Sequence, residues 1–159
     1  MNRTVRIPTF LLTLLFLCMA SYIQARDHFS FSHINGNNGL SSGNVKTILQ
    51  DSRGLMWFGT KNGLNRYDGY YVKHLDCYDH QRHIGNNNIG ALYEDAQKNL
   101  WIGTDRGIYI FYPTTATFQF VASKTASGVS PDNWVQEICG DKRGNIWALL
   151  PDMGVFRWN

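Results

Sequence analysis

The chain has 159 residues, 43% of them hydrophobic and 17% charged, which is the composition of one ordinary globular domain and not of a disordered chain. Its formal charge of +3 falls to +1 without Arg3 and Arg6, leaving 13 basic against 12 acidic side chains. A balance that close to neutral gives no electrostatic argument for binding nucleic acid or a membrane surface.

In chain order, Arg3 and Arg6 precede an apolar run from Ile7 to Met19, and small or polar residues follow as far as Ala25. This is the layout of a cleaved secretory signal peptide over residues 1–25, the apolar run being shorter than the ~20 residues of a spanning helix. A lipid anchor on Cys18 is disfavoured because Leu17, not a small residue, precedes it. Cleavage leaves Cys77 and Cys139, one read in a loop and one in a strand, and both expected as free thiols. The next segment, 26–34, contains HFSFSHI and alternates like a single outer strand without a sheet of its own.

From there one pattern is written three times. Asp51, Asp95 and Asp141 stand 44 and 46 residues apart, and Trp57, Trp101 and Trp147 follow each of them by six. A period near 45 residues with strand-like content predicts propeller blades. VKTILQ, LMWFGT, LNRY and YYVKHL give four antiparallel strands in the first unit, with Asn62-Gly63 and Asp68-Gly69 read as hairpin turns of type I′. The second unit repeats this as IGALYE, LWIGT, IYIF and TFQFVA. The third has VQEICG, IWALL and VFRW, with no fourth strand. The expectation is therefore an all-β partial propeller of four-stranded antiparallel blades. Blade 1 spans 35–80, blade 2 spans 81–124 and an incomplete blade 3 spans 125–159, with 26–34 as an orphan closing strand. Closed propellers have about four to eight blades, so the expectation is that a longer protein supplies the others.

The run from Val45 to Gly69, V-x-x-I-x-x-D-x-x-G-x-x-W-x-G-T-x-x-G-L-x-R-Y-D-G, resembles the two-component regulator propeller repeat. The lead-in FSFSHINGNNGLSSGNVKTILQD resembles the start of hybrid two-component sensors of the Bacteroides type. The second blade departs by placing Lys98 and Asn99 at the turn where the first has Gly54. The third has Ala148-Leu149-Leu150 in place of x-Gly-Thr, with one residue added before Gly154. The resemblance implies a periplasmic, signal-receiving segment without phosphotransfer chemistry. In the full-length protein it implies further blades, a β-sandwich, an inner-membrane anchor and a histidine kinase, with homodimerisation and an oligosaccharide ligand. No cofactor and no direct contact with nucleic acid are implied. A propeller lyase fragment and a protein-interaction scaffold are the alternatives.

Each turn Asp is expected to bond its own backbone. The turn set is Asp51, Gly54, Gly63, Asp68, Gly69, Asp95, Gly107, Asp141, Gly144 and Gly154. Trp57, Trp101 and Trp147 are expected to pack between blades. His80 and His83 lie close in sequence to Asp76, Cys77 and Asp79, but no second ligand pair at zinc-site spacing accompanies them. Glu94 and Asp95 are neighbours on a strand and point to opposite faces, so they cannot flank one glycosidic bond. No catalytic set and no metal site is expected. If the first strand of each unit is innermost, one face gathers the inter-blade loops and the second-to-third strand turns. Trp134, Asn88 and Arg106 on that face are the candidate ligand-binding residues. Trp134 stands where earlier units have Asn44 and Asn88, and either stacks on a sugar ring or caps the third blade's core.

Overall fold

The computed structural model describes Phe10 and residues 30–81, 84–121 and 132–159. They fall into two units, Met1–His33 and Ile34–Asn159. Apart from Phe10, the expected leader lies outside the described residues. In the first unit residues 30–33 have no regular structure, and Phe31 is 92% exposed. The strand expected over 26–34 is thus not formed in its described part, which pairs with none of the three sheets. No helix among the described residues is long and apolar enough to cross a membrane.

The unit Ile34–Asn159 is nearly all β. After a 3-10 turn at Gly36–Asn38, β1 (Val45–Gln50), β2 (Met56–Thr60), β3 (Gly63–Tyr67) and β4 (Val72–Leu75) form a first antiparallel meander. A short hairpin, β5 (Tyr78–Asp79) with β6 (Ile84–Gly85), interrupts the passage to the second sheet. That sheet is β7 (Ile89–Glu94), β8 (Leu100–Thr104), β9 (Gly107–Tyr112) and β10 (Thr117–Phe120). The third has β11 (Glu137–Gly140), β12 (Ile146–Leu150) and β13 (Gly154–Trp158). Trp158 pairs with Ile146 as Tyr67 does with Met56 and Phe111 with Leu100, so the three sheets share one register.

The turns explain the register, and in two places they differ from the sequence expectation. In the β2–β3 turn only Gly63 has positive φ, at 108°, and after β3 only Gly69 does, at 100°. Neither is a type I′ turn, because side chains hold the preceding residues in ordinary backbone regions. Thr60 Oγ1 accepts from Asn62 N at 3.0 Å and donates to Gly63 O at 3.0 Å. Asp68 Oδ1 accepts from Tyr70 N and Tyr71 N at 2.9 and 2.8 Å. That capture also delays β4 to Val72, leaving Tyr70 and Tyr71 exposed in the turn and not in a strand.

The first-to-second strand turn is built around the repeated Asp. Asp51 Oδ1 accepts from Arg53 N and Leu55 N, each at 2.9 Å, while Gly54 closes the loop at a φ of 87°. Gly144 takes 86° in the third sheet, where Asp141 Oδ1 accepts from Arg143 N and Asn145 N, and in the second Lys98 adopts 69° while Asp95 Oδ1 accepts from Asn99 N. A non-glycine side chain there is strained but the turn is kept. The remaining carboxylate oxygen does something more: Oδ2 of Asp51, Asp95 and Asp141 accepts the indole N–H of Trp57, Trp101 and Trp147 at 2.9, 3.0 and 3.0 Å. One side chain therefore closes the turn and orients the Trp six residues on.

Sheets stack through these Trp faces. Trp57 is 1% exposed and meets Phe111 of the second sheet edge-on at 5.7 Å. Trp101, 9% exposed, meets Trp158 of the third at 6.0 Å. Close approach between inner strands is made possible by glycine. A Cβ on Gly59 would lie 2.6 Å from Ile89 Cγ2, and one on Gly103 would lie 2.7 Å from Val135 Cγ1. Val135 N donates to Thr104 O at 2.8 Å, so the lead into β11 bonds directly to the neighbouring sheet, which is why β11 begins at Glu137.

Candidate ligand-binding face

The turns after β2 and β8 are held from both sides by the inter-blade loops. Lys61 N donates to Asn44 O at 3.2 Å and Gly63 N to Asn87 O at 2.7 Å. Asp105 N donates to Asn88 O at 3.2 Å and Gly107 N to Asn133 O at 3.0 Å. One face thus collects Lys61, Asn62, Asn88, Asp105, Arg106, Asn133 and Trp134. Thr104 Oγ1 accepts from Arg106 N at 3.1 Å and donates to Gly107 O at 2.8 Å, presenting the exposed Arg106 at the turn's tip.

Asn88 is fixed on both sides. Its Oδ1 accepts from Lys46 Nζ at 2.7 Å and its Nδ2 donates to Asp105 Oδ2 at 3.0 Å. Asp105 belongs to the second-to-third strand turn that the innermost-strand reading gathers on this face; Lys46 is not placed there by that reading, and it carries no signal, since its sheet-2 counterpart in register is Gly90. The other carboxylate oxygen of Asp105 is buried and receives no hydrogen bond from the described residues, at a cost of about 1–3 kcal/mol for such a group.

Trp134 brackets the same turn from the third sheet's side, between Asn133, which accepts from Gly107, and Val135, which donates to Thr104. It is 46% exposed and belongs to neither buried cluster, its indole nitrogen lying 3.5 Å from where a Cβ on Gly90 would stand. An exposed indole beside a backbone without a side chain offers a flat apolar surface. Arg106, Asn88 and Trp134 therefore share a face, through two loops bonded to one turn.

The His-rich segment folds around the small hairpin. Asp79 is 2% exposed and accepts from Gln81 N at 2.9 Å and from Phe120 N at 2.8 Å, tying the loop to β10. Asn87 Oδ1 accepts from Cys77 N and its Nδ2 donates to Asp76 Oδ1, both at 2.8 Å. Asp76, Cys77, Tyr78, His80, Asn86 and Asn87 line a cavity of about 590 Å³. Burial, then the Asp76 charge, pushes the Cys77 thiol well above its ordinary range. Burial, followed by the charges of Cys77 and Asp79, takes Tyr109 to about 12. No group of three or more metal-binding side chains converges among the described residues; His83 lies outside them. Glu94 accepts from Ser52 N and Oγ at 2.8 and 3.0 Å, linking sheets 1 and 2 at the opposite end.

Residues 39–62 and 83–106 match the family model of the two component regulator propeller. Two stretches of the chain, one in each complete blade, are thus similar to two-component regulator propeller repeats. A histidine kinase, P4, of Formosa agariphila is 38% identical over 61 residues, which make up 38% of this chain and 4% of that protein. Among solved structures, the extracellular domain assigned to hybrid two-component system BT3049 of B. thetaiotaomicron has a TM-score of 0.70 at 24% identity, over 80% of this chain and 18% of that one. The extracellular domain assigned to system BT4673 of the same organism has a TM-score of 0.65 at 23% identity, over 76% and 17%. The chain thus spans less than a fifth of each of these relatives, and the likeness to the solved domains shows its fold.

Proposed function

We propose that the chain is part of the outer, signal-receiving region of a two-component sensor, and that it recognises an extracellular glycan or relays its binding. The match of residues 39–62 and 83–106, one stretch in each complete blade, to the regulator propeller repeat carries this reading. Residues 1–25 direct export to the periplasm, and in the intact sensor an inner-membrane anchor and a kinase belong to the remainder of the protein, which acts as a homodimer. This segment contributes binding and not phosphotransfer. Trp134 supplies a stacking surface for a sugar ring, Asn88 a preset amide and Arg106 exposed donors. A bound glycan acts by favouring one packing of rigid β domains over another, since a ligand shifts only states it binds unequally.

The test is a panel of oligosaccharides in a thermal-shift assay on the intact extracellular region. A saturable shift without turnover, abolished by Trp134→Ala at unchanged melting temperature of the free protein, supports the reading. Product formation points to a lyase-type enzyme instead. The absence of any response leaves an interaction scaffold and sinks glycan recognition.

A further inference from the structure

At the Asp end, sheets 1 and 2 are clasped by Glu94, whose carboxylate accepts from Ser52 N and Oγ at 2.8 and 3.0 Å. Neither partner recurs between sheets 2 and 3. Gly140 holds the register position of Glu94, pairing with Ile146 as Glu94 does with Leu100, and Ala96 follows Asp95 as Ser52 follows Asp51. The Tyr93 ring takes part of the space, since a Cβ on Gly140 would run into its hydroxyl. What remains is a cavity of about 490 Å³, whose walls include Tyr93, Gln97, Trp101 and Trp158 and both turn carboxylates, Asp95 and Asp141.

In sheet 1 the equivalent carboxylate meets a cation: Arg53 reaches Asp51 Oδ2 through Nε and Nη2 at 3.2 and 2.9 Å. Gln97 stands at that place in the second turn, and in the third Arg143 donates to Asp141 through its backbone N–H. Among the described residues neither Asp95 nor Asp141 forms an ion pair, and no basic side chain lines the cavity. Hydrogen bonds from the Asn145 and Trp147 side chains keep Asp141 ionised, at about 2. Yet these carboxylates have little room for another donor. Asp141 accepts from Arg143 N and Asn145 N through Oδ1, and from Asn145 Nδ2 and Trp147 Nε1 through Oδ2, which fills the lone-pair positions of a carboxylate. Asp95 accepts from Asn99 N, Asn99 Nδ2 and Trp101 Nε1. The pair lends negative charge with scarcely a free acceptor position.

We infer that this cavity between sheets 2 and 3 is a binding site for a small quaternary ammonium ion of the size of choline. Such a cation has no N–H to satisfy, so filled carboxylates attract it through charge alone, and aromatic faces hold its methyl groups. Trp101 and Trp158 supply an angled aromatic wall, their ring centres 6.0 Å apart at 52°. A primary ammonium or a guanidinium entering the same space gives up water for acceptors that are already occupied, and leaves N–H groups unpaired. The site is separate from the glycan reading, because it lies beside the Asp turns and Trp134 beside the turn at the other end of the sheets.

The protein at its native length is titrated by calorimetry with choline chloride, with sodium chloride at the same ionic strength, and with ethanolamine, the same alcohol on a primary ammonium. Saturable binding of choline is expected, at least ~3-fold tighter than ethanolamine. No binding beyond the sodium chloride response would overturn the site, and equal affinity for ethanolamine would overturn the quaternary specificity. Two variants copy what sheet 1 already carries at the equivalent positions. Gln97→Arg brings to Asp95 the guanidinium that Arg53 brings to Asp51, and Tyr93→Leu puts in register the counterpart of Leu49. Each is expected to weaken choline at least ~3-fold, the first by neutralising a carboxylate and the second by removing an aromatic wall. Choline bound with the parent's affinity by either folded variant would refute this cavity as its site.

Discussion

Gly59→Ala tests the packing between the first two sheets at its tightest point. The new Cβ would lie 2.5 Å from Thr47 Cγ2 and 2.6 Å from Ile89 Cγ2. Both are methyl groups of β-branched side chains with little χ1 freedom, and Ile89 is fully buried, so the sheets themselves must part. Overpacking of this kind costs about 1–3 kcal/mol, while alanine recovers roughly 0.5–1 kcal/mol of the entropic cost of glycine in a strand. The expected net loss is about 1–2 kcal/mol, read as a lower urea midpoint at unchanged slope. Gly43→Ala, with nothing within 4 Å, is the control and should stay within ~0.5 kcal/mol of the parent. Ile89→Ala removes the methyl that clashes, so the double variant should be less destabilised than the two single losses added together, by roughly 0.5 kcal/mol or more. A Gly59→Ala protein as stable as the Gly43→Ala control, or strict additivity with Ile89→Ala, would refute the derived stacking.

Asp51→Ala removes the acceptor for Arg53 N, Leu55 N and the buried Trp57 indole, and is expected to cost about 1–3 kcal/mol from the orphaned indole alone, with a change in tryptophan emission. Lys98→Gly relieves a left-handed residue at φ 69° and should raise stability by up to ~1 kcal/mol; a lower melting temperature would count against that strain. Hydrogen bonds from the Asn145 and Trp147 side chains hold Asp141 at about 2, below its ordinary 3.8. Burial pushes Asp51 up, but the Trp57 and Arg53 side chains and the turn's own N–H groups outweigh it, so it too is lowered. Carboxyls depressed in the folded state lend stability above their unfolded value and lose it as pH falls. The urea midpoint should therefore drop between about pH 4 and 2, and the drop should be shallower in Asp141→Asn.

The blade repeat was legible because two constraints are local. An Asp that closes a four-residue turn and a Trp six positions later are joined by one carboxylate, so their spacing survives changes around them; Lys98 replaces a glycine without disturbing it. The type I′ reading of Asn62-Gly63 failed because the deciding atom belongs to Thr60, outside the dipeptide. Tyr70 and Tyr71 misled for the same reason, since their strand-like character is overruled by the Asp68 carboxylate. On the candidate face, Trp134 and Arg106 could be found by comparing units within the chain. The Lys46–Asn88–Asp105 connection crosses from the first sheet to the second, and nothing in residue spacing encodes which side chains meet across that gap.

The two ends of each sheet carry different burdens. At the Asp end all three units share two bonds at nearly the same lengths, from the backbone N–H four residues on and from the Trp indole, because that turn sets the Trp. At the opposite end the turn tips differ in every unit, Lys61-Asn62, Asp105-Arg106 and the longer Pro151-Asp152-Met153. Within the turns Thr60 and Thr104 bond to backbone groups and not to the side chains of the two residues between, which are free to vary without disturbing the ladder. In the third unit Leu150 lacks that hydroxyl, and the turn is closed instead by Met153 N donating to Leu150 O at 3.1 Å, with Asp152 at a φ of 65°. A propeller built this way can alter that turn face at little cost to the fold, which is the physical reason for seeking the proposed glycan beside Trp134 and not among the repeated carboxylates.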